Sequence, residues 1–158
     1  MTTDVSSSTG DGAASRPADP DWQQRVRASF ERQGLMAHLG AALVELQPGR
    51  VAIALPWRPE LTQQHGYFHA GATSAIADSA GGYAGYTLFP AASEVLTVEF
   101  KVNLTAPAQG ERLVAIGEVI RAGRTLTVCD LKVHAETEGR RTLVASGQQT
   151  LIRLDPRA

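Results

Sequence analysis

"HGYFHAGATSAIADSAGGYAGYTLF", residues 65–89, decides how this chain folds. No proline interrupts it between Ala70 and Leu88, and Ala72, Ile76, Ala80 and Tyr83 recur at helical spacing. Its glycines weaken a helix in isolation, and between those limits Asp78 is the sole charged side chain. A helix that is apolar or small on all sides is a buried helix. The small residues let other backbones come close, so the segment predicts a helix wrapped by the rest of the chain, with one carboxylate inside.

The wrapping material lies downstream. "EVLTVEFKVNL" (94–104) alternates, with Leu96, Val98, Phe100, Val102 and Leu104 on one face and Thr97, Glu99, Lys101 and Asn103 on the other. "ERLVAIGEVIR", "RTLTVCDLKVHAE" and "RTLVASGQQTLIRL" are three further strands, joined by the turn-like links "APAQG", "RAGR" and "TEGR". Consecutive strands of this kind favour an antiparallel meander. Upstream, "DPDWQQRVRASFERQG" predicts a helix with Asp19 or Asp21 as cap, Trp22, Val26 and Phe30 as its apolar stripe, and Gly34 as its stop. "AALVELQ" and "GRVAIALP", split by "PG", predict a hairpin. The expected class is α+β: one antiparallel sheet around one long helix, with an extra N-terminal helix.

Bulk properties narrow the function. The chain has 158 residues, 43% hydrophobic and 20% charged, with a net charge of −1. That suits one domain over residues 19–158 and offers no electrostatic case for nucleic acid or an anionic membrane. Cys129 is the single cysteine, which excludes an internal disulfide and a cysteine-only metal cluster. Residues 1–18 are poor in bulky apolar groups and lack a signal-peptide pattern, so they are expected to be a disordered tail on a cytoplasmic protein.

"FHAGATSAIADSAGG", followed in order by "LTVEFKVNLTAPA" and "GRTLTVCDLKVHAETEGRRTLVASGQQT", resembles the hotdog-fold acyl-CoA thioesterases over roughly residues 35–154. The resemblance is to the phenylacetic-acid-pathway-type (PaaI-like) group of the 4-hydroxybenzoyl-CoA thioesterase superfamily. It implies a sheet curled around the helix, a homodimer with two interfacial sites, and a dimer of dimers. The implied substrate is an acyl-CoA with a medium-chain or aryl acyl group, with no metal and no cofactor beyond the substrate's own coenzyme A.

The same resemblance assigns candidate residues. The backbone N–H of Ala70, where the family usually has glycine, would polarise the thioester carbonyl, since the first N–H groups of a helix lack partners and carry partial positive charge. Asp78 maps onto the family's catalytic carboxylate, as general base or as nucleophile; the alternative is a buried carboxylate satisfied by its neighbours. His69 matches the motif histidine, or simply orders the turn. Gln63 falls where relatives carry an asparagine that helps hold water. Thr97 lies where they place a hydroxyl near the carboxylate, or is an ordinary strand threonine.

For binding, Gly71 and Phe68 are expected beside the thioester, with Tyr67, Leu35, Met36 and Leu39 helping to line an acyl pocket. Arg121 and Arg124 in "RAGRT" are candidates for the coenzyme A phosphates. Ser74 and Ser79 lack a nucleophile-elbow pattern, Cys129 is read as a buried structural thiol, and His134 with Asp130 lacks a third metal ligand. Two other functions stay open: a non-catalytic acyl-CoA binding protein, and a hotdog-fold hydratase or dehydratase.

Overall fold

A computed structural model of the chain describes residues 16–156, so most of the expected tail lies outside the described residues. The elements run α1 (Trp22–Glu31), α2 (Gly34–Leu39), β1 (Ala42–Gln47), β2 (Arg50–Pro56), α3 (Ala70–Tyr86), β3 (Glu94–Leu104), β4 (Arg112–Ala122), β5 (Leu126–Thr137) and β6 (Arg140–Leu154). All six strands form one antiparallel sheet in the order β1-β2-β4-β5-β6-β3. Helix α3 lies across it and fills its concave face. Ile76, Ala80 and Tyr83 of the helix pack against Val51, Ile53, Leu113, Leu131 and Val144 of the strands. This is the hotdog arrangement expected from the sequence. No described helix is long and apolar enough to cross a membrane.

The strands are not a simple meander. β4, β5 and β6 follow one another, but β3 lies beyond β6 instead of beside β4. The link from Thr105 to Glu111 therefore spans three inter-strand gaps, about 14 Å, which seven extended residues cover comfortably. Gly110 and Glu111 run close over the end of β5, where the Glu111 N–H donates to the Glu136 carbonyl at 2.8 Å. The first hairpin forms as expected around Pro48 and Gly49, the glycine taking φ +72°.

Two details of α1 differ from expectation. Asp21 occupies the cap position without a side-chain hydrogen bond. Asp19 instead accepts the Asp21 N–H at 2.9 Å and pairs with Arg25 Nε at 2.6 Å. Arg25 is thereby aimed at the far end of α3, where it donates to the carbonyls of Tyr86 (3.2 Å) and Phe89 (2.9 Å) and stacks 4.1 Å over the Tyr86 ring. A cation at a helix C-terminus satisfies free carbonyls and opposes the helix dipole. Gly34 starts α2 instead of ending α1, which stops at Glu31.

Helix α3 is not enclosed on every side. Its buried residues cover three quarters of its circumference, but Gly71, Ala75, Asp78 and Gly82, at helical spacing, form a stripe that the chain's own sheet leaves open. The adjoining strand β3 pairs only with β6, so its other edge is free. Leu96, Val98 and Leu104 on it are each 56% exposed, and Phe100 is 43% exposed.

Candidate active site

Asp78 comes from the middle of the open stripe of α3. Thr97 Oγ1 donates to its Oδ1 at 2.8 Å, and Gln149 Nε2 of β6 donates to the same oxygen at 2.6 Å. The Gln149 amide also reaches the Asp78 carbonyl at 3.1 Å and Thr97 Oγ1 at 2.9 Å. No donor among the described residues reaches Oδ2. Carboxylate, hydroxyl and amide thus form one closed cluster between helix and sheet.

Thr97 enters this cluster because strict alternation fails. Thr97 pairs with Leu151 and Glu99 with Thr150, leaving Val98 as the extra residue of a bulge. A bulge shifts side-chain parity by one. Before it, Val95 and Thr97 share the concave face with Arg153 and Leu151. After it, Phe100, Val102 and Leu104 do, opposite Gln149, Gly147 and Ala145. The sequence expectation that Leu96 and Val98 share a face with Phe100 is therefore corrected: Leu96 points to the convex side.

Gln149 was not among the residues singled out from sequence. Its signal lies in β6, where Ala145, Gly147, Gln149 and Leu151 alternate on the concave face. A glutamine in that row, fully buried, breaks an otherwise small or apolar pattern.

The other candidates gather at the opposite end of α3. His69 caps the helix, its Nδ1 accepting the Gly71 N–H at 2.8 Å, a bond that orders the turn. The Ala70 N–H meets no acceptor among the described residues. Gln63 is occupied within its own loop: its N–H donates to the Tyr67 carbonyl at 2.9 Å and its side chain accepts the His65 N–H. Phe68 is buried in the core, and its N–H donates to the Ala108 carbonyl at 2.9 Å. Ala70 and Asp78 are eight residues apart, about 12 Å along a helix, so one protomer does not bring them together. Arg121 and Arg124 flank the β4–β5 turn, exposed, at the Asp78 end of the sheet; Leu126 and Leu96 both pair with Ile152 there.

A cavity of about 480 Å³ opens beside Asp78, walled by Ser79 and Tyr83 of α3, Arg32 and Gln33 after α1, and Glu94 and Thr97 of β3. Burial raises the Tyr83 phenol above its ordinary range, offset in part by its hydrogen bond with Ser29, so the hydroxyl faces the cavity protonated. Of the expected acyl-pocket residues, Met36 and Leu39 are buried in the core and Leu35 is exposed. A larger cleft, about 1080 Å³, sits at the other end between Trp57, Gln109, Glu111 and Arg141. Size alone favours it, but it contains no member of the Asp78 cluster, and of its two arginines, Arg140 and Arg141, the second is already paired with Glu136.

Cys129 and Asp130 have structural partners. Burial pushes the Cys129 thiol up to about 12, and its Sγ lies 3.5 Å from the Gly81 carbonyl, so it is no nucleophile at neutral pH. Asp130 pairs with Lys132 at 3.0 Å. Among the described residues, no three His, Cys, Asp or Glu side chains are grouped to hold a metal.

Comparison with known proteins gives the same architecture a family. Residues 65–142 match the thioesterase superfamily. A thioesterase family protein from Silicibacter pomeroyi is 47% identical, with a TM-score of 0.84 over 85% of this chain and 99% of that one. The chain belongs to the thioesterase superfamily. It is, with that family, a thioester hydrolase. The 1,4-dihydroxy-2-naphthoyl-CoA hydrolase of Listeria monocytogenes is 26% identical over 105 residues, 66% of this chain and 85% of the relative. The PaaI protein of the Escherichia coli phenylacetic acid degradation operon shares the fold, with a TM-score of 0.75, 18% identity, and coverage of 85% of this chain and 94% of that one.

Proposed function

We propose that this thioesterase hydrolyses acyl-CoA, carrying a medium-chain or aryl acyl group, at two sites shared between two copies of the chain. The observation that carries the reading is the placement of Asp78: a carboxylate held through one oxygen, beside a cavity, on a helix stripe that its own sheet leaves uncovered. A water and the carbonyl it attacks must come within about 3 Å, against about 12 Å between Asp78 and the start of its own helix. Two antiparallel α3 helices remove that gap, each Asp78 facing the other's Ala70. The free β3 edge and its exposed apolar residues supply the surface for such a pair, and two pairs associate further into four.

The chemistry follows. Asp78 takes a proton from water as the water oxygen bonds to the thioester carbon. The Ala70 N–H of the second copy holds the oxyanion that develops. Collapse breaks the C–S bond, and coenzyme A leaves as a thiolate that acquires a proton. Direct attack by Asp78 is the other route, and a single turnover in ¹⁸O-water tells them apart by whether label enters the Asp78 carboxylate. Arg121 and Arg124, at the Asp78 end, take the phosphates of coenzyme A.

The test is thiol release from a panel of acyl-CoAs. Asp78→Asn is expected to fold and to lose about 100-fold or more in rate. Ala70→Pro removes the N–H at a position where proline suits a helix start. Mixing the two inactive variants and letting dimers exchange should restore about a quarter of wild-type activity, because half of random pairs are mixed and each holds one intact site. No thiol release by wild type from any acyl-CoA overturns the acyl-CoA substrate in favour of acyl-CoA binding, and an unimpaired Asp78→Asn overturns the catalytic role of Asp78. Two dead variants that stay dead on exchange overturn the shared site.

A further inference from the structure

Gln149 is an expensive residue to keep where it stands. It is fully buried on the concave face, its Oε1 has no partner among the described residues, and an apolar residue would fill the place without that penalty. It also demands a glycine. A Cβ on residue 81 would lie 1.9 Å from Gln149 Oε1 and 2.6 Å from Leu131 Cδ2, so the helix carries Gly81 to make room. Two local stability costs, an orphaned carbonyl oxygen and a mid-helix glycine, converge on one amide.

The acceptors around Nε2, three for two N–H hydrogens, account for it. A carboxylate oxygen and a main-chain carbonyl can only accept, so they fix the amide with its NH₂ toward Asp78. The Thr97 hydroxyl, bonded by the same NH₂, is left to donate its own proton to Oδ1. Both donors therefore converge on Oδ1, and the χ rotation of Asp78 is pinned from the sheet side.

We propose that Gln149, in the space provided by Gly81, is a positioning residue of the hydrolytic site: it locks Asp78 through Oδ1 so that Oδ2 alone is presented to the cavity as the reacting oxygen. This rests on the reading of Asp78 as the reacting carboxylate. A purely structural role would couple activity to stability; a positioning role separates them.

The experiment measures kcat, KM and thermal midpoint for wild type, Asp78→Asn, Gln149→Met, Gly81→Ala, Gln149→Ala and the double variant of the last two on one acyl-CoA that wild type hydrolyses. Gln149→Met keeps the length and removes the amide. It is expected to lower kcat about tenfold or more, the loss of a hydrogen bond to a charged group, with KM within about twofold and no fall in midpoint. Gly81→Ala should lower kcat by displacing the amide, and should cost little further kcat once residue 149 is alanine. Wild-type kcat in Gln149→Met, a loss matched by a fallen midpoint, or additive effects at 81 and 149 would each overturn the positioning role. If Asp78→Asn is impaired while Gln149→Met is not, only this inference fails. If Asp78→Asn keeps full rate, the reading beneath it fails as well.

Discussion

Gly117→Ala tests the contact that sets α3 against the sheet. Gly117 lies in β4 under the middle of the helix. A Cβ there would stand 2.4 Å from the Ala80 carbonyl carbon, 2.4 Å from the Gly81 nitrogen and 2.5 Å from the Ala80 oxygen, where ordinary contacts are 3.4–4 Å. All three are backbone atoms, so no side-chain rotation relieves them, and helix or strand must move by about 1 Å. Overpacking of this kind costs about 3 kcal/mol. In a chain of 158 residues that is a fall in midpoint of about 6–12 °C. Circular dichroism melts at one fixed protein concentration give the readout. Gly34→Ala is the matched control: nothing lies within 4 Å of its Cβ at the exposed start of α2, so it should melt at or slightly above wild type. A Gly117→Ala protein melting within about 2 °C of wild type would refute the close-approach argument. It would mean that α3 slides freely over β4, and Asp78 with it.

Two further outcomes are expected. Thr97→Val removes one of the two donors to Asp78 Oδ1 and should lower kcat about tenfold or more, whereas Thr97→Ser should retain most of the rate. At the other end of the sheet, burial works to raise the Glu136 carboxyl, but hydrogen bonds and charge from Arg112 and Arg141 outweigh it and hold it below its ordinary 4.5. Because the folded value is depressed, its stabilisation is present above the unfolded value and lost as pH falls through the folded one. Denaturant titrations should show Glu136→Gln less stable than wild type at pH 7, with the difference shrinking below about pH 4.5.

Much of this molecule was legible because its signals are periodic and local. The buried helix announced itself through Ala72, Ile76, Ala80 and Tyr83, and its observed span, Ala70–Tyr86, starts where the motif predicted. The strands likewise fall close to their alternating runs. Strand order was not legible: whether β3 neighbours β4 or β6 depends on which edge the Thr105–Glu111 link crosses, and no local pattern encodes that. Thr97 was singled out through the family resemblance, and it does bond Asp78, but the alternation read for its strand is interrupted by the bulge at Val98. Gln149 stayed hidden for a related reason. Gln148 beside it is chemically identical, and only the register of β6 against two strands shows which of the pair faces inward.

The bulge at Val98 has a consequence for how such a protein can change over time. It divides β3 into two stretches whose facing is set independently: Glu94–Thr97 carries the threonine bonded to Asp78, and Phe100–Leu104 turns its apolar residues to the concave face. In a regular strand, a one-residue slip that re-aimed one stretch would turn the other over with it. Here an insertion or loss in the second stretch can be absorbed at the joint, and the threonine keeps its aim. Variation in that apolar stretch is thereby uncoupled from the aim of the hydroxyl at Asp78.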